Sequence, residues 1–188
     1  MMHVTIVASP TAPKPVLQRD FIWKDEAACA ALAAQLAANL RAPLQAGGSR
    51  YIELHGTLGA GKTTFTRHLL RALGVEGRIK SPSYAVVEPH ELPDMAIHHF
   101  DFYRFNDPQE WEDAGFRDLF AAPGLKLAEW PEKAAGLLPI ADLQIHIQTP
   151  PTADSEQRTV RIQAFSHAGG DALAALQPLE ATEERAHG

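Results

Sequence analysis

The sequence predicts an α/β fold: three layers, with helices on both faces of a mostly parallel, mixed sheet. Three observations predict it. Short apolar strands alternate with amphipathic helical stretches through the middle of the chain. A glycine-rich turn joins one of those strands directly to one of those helices. Two later stretches alternate apolar and polar residues and are separated by a polar turn, so they read as an antiparallel hairpin.

The turn is Gly56-Thr57-Leu58-Gly59-Ala60-Gly61-Lys62-Thr63, which fits G-x-x-x-x-G-K-[ST] at every fixed position. It lies between the strand Tyr51–His55 and a helix carrying Phe65, Leu69 and Leu73 on one face. This is the phosphate-binding loop of the P-loop NTPase-type fold. Glycines let successive backbone N–H groups converge on an anion, and the helix N-terminus adds free donors and partial positive charge. Lys62 is expected to reach the β- and γ-phosphates of a nucleotide, and the Thr63 hydroxyl to hold a magnesium ion. Gly56, Thr57, Leu58, Gly59, Ala60, Gly61, Lys62, Thr63 and Thr64 are therefore the candidate nucleotide-binding residues.

The remaining elements follow in order. Residues 1–15 are rich in Pro, Thr and Ala and read as a loose arm, with a short strand at His3 to Val7 as an option. Val16 to Trp23 reads as a first strand. Asp25 is an N-cap for a helix whose apolar face holds Cys29, Leu32, Ala33, Leu36 and Leu40, ended by Pro43 and Gly47-Gly48. After the loop's helix, Gly74 and Gly77 act as stops. Ala85–Val87 is read as a strand, Pro89 to Pro93 as a turn, and Met95 to Phe102 as a strand. Asp107-Pro108 starts a short helix that Gly115 stops. Leu125 to Glu129 is a strand broken by Trp130-Pro131. Asp142 to Gln148 and Thr159 to Phe165 form the hairpin. The domain is read as 16–165, and 166–188 as a tail that is a short helix or disordered.

Composition narrows the function classes. A chain of 188 residues with 45% apolar content supports one domain with a real core. The net charge of -6 has the wrong sign for a protein that grips nucleic acid by its phosphates. The one cysteine, Cys29, excludes an internal disulfide framework. No window reaches membrane-spanning length, and the first ten residues lack the pattern of a secretory leader. A cytoplasmic location without membrane association is expected.

Hydrolysis needs a carboxylate beside the magnesium and a group that orients the nucleophile. Both are expected at the C-terminal ends of strands next to the loop's own strand. Asp101 and Glu129 fit. Asp101 is read as the metal-side acid, with Thr63, and Glu129 as the water-side acid. Adjacent strand residues point to opposite faces, so His98 and His99 are read as structural rather than as ligands of one zinc ion. Ser81 to Tyr84, including Ser83, is either a segment that senses the γ-phosphate or a plain Ser-Pro turn. Trp130 lies either beside the nucleotide or in the core.

Four motifs occur in an order and spacing that resemble one family. They are Gly56 to Thr64, Lys80-Ser81-Pro82-Ser83-Tyr84, His99-Phe100-Asp101-Phe102-Tyr103-Arg104, and Glu129-Trp130-Pro131-Glu132. Together they resemble TsaE (also called YjeE), a bacterial ATPase needed for N6-threonylcarbamoyladenosine at position 37 of tRNA. The resemblance covers roughly Val16 to Phe165. It implies slow hydrolysis of ATP with magnesium, partnership with TsaD and TsaB, and contact with tRNA only through that complex. It also implies that hydrolysis resets the complex between rounds. Thr63 and Asp101 then resemble the magnesium-side residues. Glu129 and Trp130 resemble the family's pair near the γ-phosphate and base, and Ser81 to Tyr84 its switch segment. Two positions depart from the family pattern: Thr57 is commonly acidic there, and Ser83 replaces a threonine.

Rival readings are a small-molecule kinase, a GTP-driven switch, and an assembly factor for which nucleotide is only glue. The first expects an arginine-rich lid, which is missing between Leu119 and Leu143. The second expects an [NT]-K-x-D segment, which the chain lacks.

Overall fold

The computed structural model describes residues 12–82 and 84–179. The elements are β1 (Leu17–Trp23), α1 (Glu26–Gln45), β2 (Ser49–His55), α2 (Lys62–Leu73), β3 (Val87–Leu92) and β4 (Met95–Asp101). Then come α3 (Pro108–Asp113), α4 (Phe116–Ala121), β5 (Gly124–Glu129), a 3-10 turn at Pro131–Ala134, β6 (Leu143–Gln148), β7 (Arg158–Ala164) and α5 (His167–Ala174).

All seven strands join one sheet in the order β1-β7-β6-β2-β5-β4-β3. The four central strands β6, β2, β5 and β4 run parallel, and the edges are antiparallel. The sheet is therefore mixed, and the expected hairpin is present with Ile145 opposite Ile162.

Strand alternation sends side chains to two separate cores. Ile52, Leu54, Leu125, Leu127, Ile145 and Ile162 face α1 and α2, joining Leu36, Phe65 and Leu69. Tyr51, Phe100, Phe102 and Ala128 face the other way, against Trp111 and Phe116 of α3 and α4. Asp25 caps α1, its Oδ1 accepting from Ala28 N–H at 2.9 Å. The buried Cys29 sits in this apolar face, and burial pushes its thiol up to about 12, so it is a packing residue.

The structure departs from the expected elements in three places. β3 runs from Val87 to Leu92, through the stretch read as a turn. Pro89 is tolerated because β3 pairs only with β4 and its other edge is free. α1 continues through Pro43 to Gln45. α4 was not expected: Gly115, at φ 68°, ends one short helix and begins the next. The short helix expected as one reading of 166–188 is α5, which packs into the first core through Ala172 and Leu173. Arg19 of β1 donates to the carbonyl of Leu173 at 2.9 Å, fastening the helix to the sheet edge.

Candidate functional site

β2 delivers the chain to the C-terminal edge of the parallel strands, where Gly56 begins the loop. A side chain at Gly56 has no room: its Cβ lies 2.7 Å from the Ile147 carbonyl oxygen and 2.9 Å from the Ala60 Cβ. The loop is thus pressed against β6. Gly61, at φ 112°, turns the chain into α2 and leaves the helix without a side-chain cap. The first N–H groups of α2 therefore face outward unpaired, which is the donor array a phosphate needs.

Lys62 is folded back onto its own loop. Its Nζ donates to the carbonyls of Gly56 and of Thr57, the latter at 3.1 Å, and lies 3.7 Å from the Trp130 ring centroid. Burial lowers its pKa, an effect opposed by the charges of Glu129, Glu132 and Asp101. Trp130 holds this place with a left-handed backbone, φ 55°, at the start of the 3-10 turn.

The two acids lie side by side, because β4 and β5 pair Asp101 with Glu129. Their environments differ. Glu129 is 1% exposed. The Thr63 hydroxyl donates to its Oε1 at 2.7 Å, and His99 Nε2 donates to its Oε2 at 2.5 Å. Asp101 accepts from the Ser81 hydroxyl at 2.8 Å and from the Tyr103 N–H at 2.9 Å. Both acids line a cavity of about 320 Å³ with Lys62, Thr63 and Trp130. A second cavity of about 230 Å³ lies across the loop, lined by Trp23, Asp25, Thr64, Glu156 and Arg158. Arg158 ties the two together by donating to the Ala60 carbonyl at 3.0 Å.

The family model described as threonylcarbamoyl adenosine biosynthesis protein TsaE matches residues 23–160, which include the loop, both acids and Arg158. The chain belongs to the TsaE family. It is 47% identical over 96 residues to the tRNA threonylcarbamoyladenosine biosynthesis protein TsaE of Haemophilus influenzae, covering 51% of this chain and 61% of that protein. The match therefore spans less than two thirds of that relative's length. The TsaE protein of Bacillus subtilis is 34% identical over 116 residues, covering 62% of this chain and 70% of its own. The crystal structure of YdiB from Bacillus subtilis superposes with a TM-score of 0.63 at 25% identity, over 84% of this chain and 93% of that one.

On this TsaE frame, Leu58 to Thr64, Asp101, Glu129 and Trp130 come together around one cavity, while Gly56 and Thr57 line another beside β6. Ser83 lies outside the described residues. Ser81 enters as a direct partner of Asp101. The Thr63 hydroxyl meets Glu129 rather than Asp101. His98 and His99 point to opposite faces, as the alternation demands, and His98 packs 6.4 Å from Phe100. Sequence reasoning passed over His99 as a partner of Glu129. The available signal was its place two residues before Asp101, which puts it on the same face of β4. Arg158 carried no signal at all.

A similar cluster occupies the opposite face of β2. Glu53, 7% exposed, accepts from the Tyr51 hydroxyl at 2.9 Å and from His55 Nε2 at 2.9 Å. The His55 ring stacks on His146 at 4.5 Å.

Proposed function

We propose that this chain binds ATP with magnesium, hydrolyses it slowly, and serves N6-threonylcarbamoyladenosine formation at position 37 of tRNA together with TsaD and TsaB, in the cytoplasm. One observation carries the reading. The uncapped N-terminus of α2, the Lys62 ammonium, and the Thr63–Glu129 and Asp101 groups converge on one edge of the sheet.

The residues fit the groups they would hold. Gly59 and Gly61 border open space, so a phosphate chain meets no side chain there. Among the described residues no cluster of three His, Cys, Asp or Glu is arranged to hold a metal. Magnesium does not require one, since it is commonly held by one or two protein oxygens together with phosphate and water. A hydroxyl and carboxylates are the hard oxygen donors it prefers. When bound, the ion neutralises charge on the β- and γ-phosphate oxygens.

We assign the metal side to Thr63 and Glu129, and the water side to Asp101, which exchanges the roles expected from sequence. Asp101 is held by Ser81 and by a backbone N–H, so its carboxylate is oriented without using the hydroxyl of the loop. Lys62 leaves its two carbonyls for the phosphates, and Trp130 then bounds the space it vacates. Hydrolysis joins a water oxygen to the γ-phosphorus, breaks the bond to ADP, and passes a proton to solvent or to the orienting carboxylate. The larger part of a nucleotide, base and ribose, fits the cavity across the loop beside Trp23 and Arg158.

The test uses Asp101→Ala and Glu129→Ala proteins. Each is expected to bind ATP, to assemble with TsaD and TsaB, and to fail at repeated tRNA modification. Full turnover by both variants overturns the hydrolytic role. Calorimetry that finds no adenine nucleotide binding by the wild type, alone or with the partners, overturns the whole reading.

A further inference from the structure

The nucleotide reading leaves one buried group near the site without a task. His99 is 0% exposed, on the strand that carries Asp101. Its Nε2 lies 2.5 Å from Glu129 Oε2, while its Nδ1 is buried with no hydrogen-bond partner among the described residues. A carboxylate oxygen only accepts, so Nε2 carries the hydrogen and Nδ1 is a bare acceptor. An unpartnered buried nitrogen is costly, and the bond from Nε2 to Glu129 is what the ring gains in return, which the likewise orphaned rings of His90 and His98 lack. An apolar residue would suit this position, which lies between Leu127 on β5 and Glu88 on β3 in the sheet register.

We infer that His99 is the positioning residue of this site: its ring N–H pins one oxygen of Glu129 so that the other faces Thr63. Without that anchor the carboxylate has a single tether, the Thr63 hydroxyl. If Thr63 held a magnesium ion its hydroxyl would be taken up, and Glu129 would then be free to rotate. With the anchor, Oε1 stays aimed at the loop whether or not the hydroxyl is engaged. The arrangement resembles the outer-shell support that orients ligating groups in metal sites, here with imidazole supporting carboxylate. The inference rests on the proposed assignment of Glu129 to the magnesium side.

The experiment measures ATP affinity by calorimetry with magnesium and with chelator for the wild type, His99→Gln, His99→Asn and His99→Leu. Glutamine places its amide N–H where the imidazole Nε2 lies, and asparagine stops short. The wild type and His99→Gln are expected to gain affinity from magnesium to within about threefold of each other. The Asn and Leu variants are expected to need roughly 10-fold more magnesium, matching an outer-shell loss, while chelator affinity stays within twofold. If Gln and Asn behave alike, in either direction, the positioning role is wrong. That pair decides the matter even if His99→Leu does not fold. If the wild type binds ATP without any gain from magnesium, the metal-side assignment fails. If it does not bind ATP, the nucleotide reading itself fails.

Discussion

Glu129 and Glu53 are two buried carboxylates, each accepting from one hydroxyl and one imidazole. Glu129 has Thr63 and His99, and Glu53 has Tyr51 and His55. They sit on neighbouring strands, since Glu53 pairs with Ala128 and Leu54 with Glu129, and they point to opposite faces. The difference is what else shares their face. Glu129 meets the start of α2, the loop amides and an ammonium. Glu53 meets a stacked pair of histidines and the polar side chains of β6. A hydroxyl–carboxylate–imidazole trio is therefore not a site by itself. The helix terminus and the loop are what set the Glu129 trio apart.

Breaking the two trios separately tests that contrast. The largest effect is expected from Glu129→Ala, which should weaken the hold on magnesium and, with several kcal/mol of charge stabilisation at stake, lower ATP turnover by roughly 10²–10⁴-fold, whereas Glu53→Ala should leave turnover per folded molecule within about threefold. Steady-state phosphate release with the partner proteins measures both. Lys62→Ala comes next. Losing charge-assisted bonds of about 1.5–3 kcal/mol weakens ATP binding roughly 10–100-fold, and Glu53→Gln leaves it unchanged in the same calorimetric titration.

Stability reverses the order. Glu53→Gln turns an acceptor of two donors into a group with one donor facing them, at a cost of about 1–3 kcal/mol in urea unfolding. Burial and the Glu53 charge hold the Tyr51 phenol above its usual range, so it remains a donor throughout.

The smallest effect is a pH dependence. Burial first, then the charge of His55, lowers the pKa of His146 below the ordinary histidine value; burial likewise lowers His90 and His98. The unfolded chain then binds protons more readily than the folded one. Stability from these residues is complete above about pH 6.5 and is lost as pH falls from there through the lowered folded values. His146→Gln should flatten part of that acid-side decline in thermal melts between pH 5 and 7, while His167→Gln, at an exposed site, should not.

Local patterns in the sequence reveal what local physics decides. The loop, the helix it opens and the terminal hairpin were all readable, because spacing alone specifies them. β3 was hidden because Pro89 reads as a breaker until the strand is known to lie at an edge. α4 was hidden because Gly115 reads as a stop and not also as a start. In the site, Asp101 and Glu129 were identifiable as acids at strand ends. The meeting of Glu129 with the Thr63 hydroxyl was not, since the two are 66 residues apart and meet only because β5 lies beside β2. Strand order of that kind carries no sequence periodicity.

The sheet's outermost strand has a consequence for how the chain is made. Among the described residues β1 pairs with nothing but β7, and Trp23 waits for Arg158. At about 5–20 residues per second, a ribosome needs roughly ten to thirty seconds to deliver that partner. During that interval β1 is an unpaired edge leaving the exit tunnel. Arg19 and Asp20 on it are the kind of charges that keep such an edge from recruiting a neighbour. β7 must be synthesised before β1 is locked in.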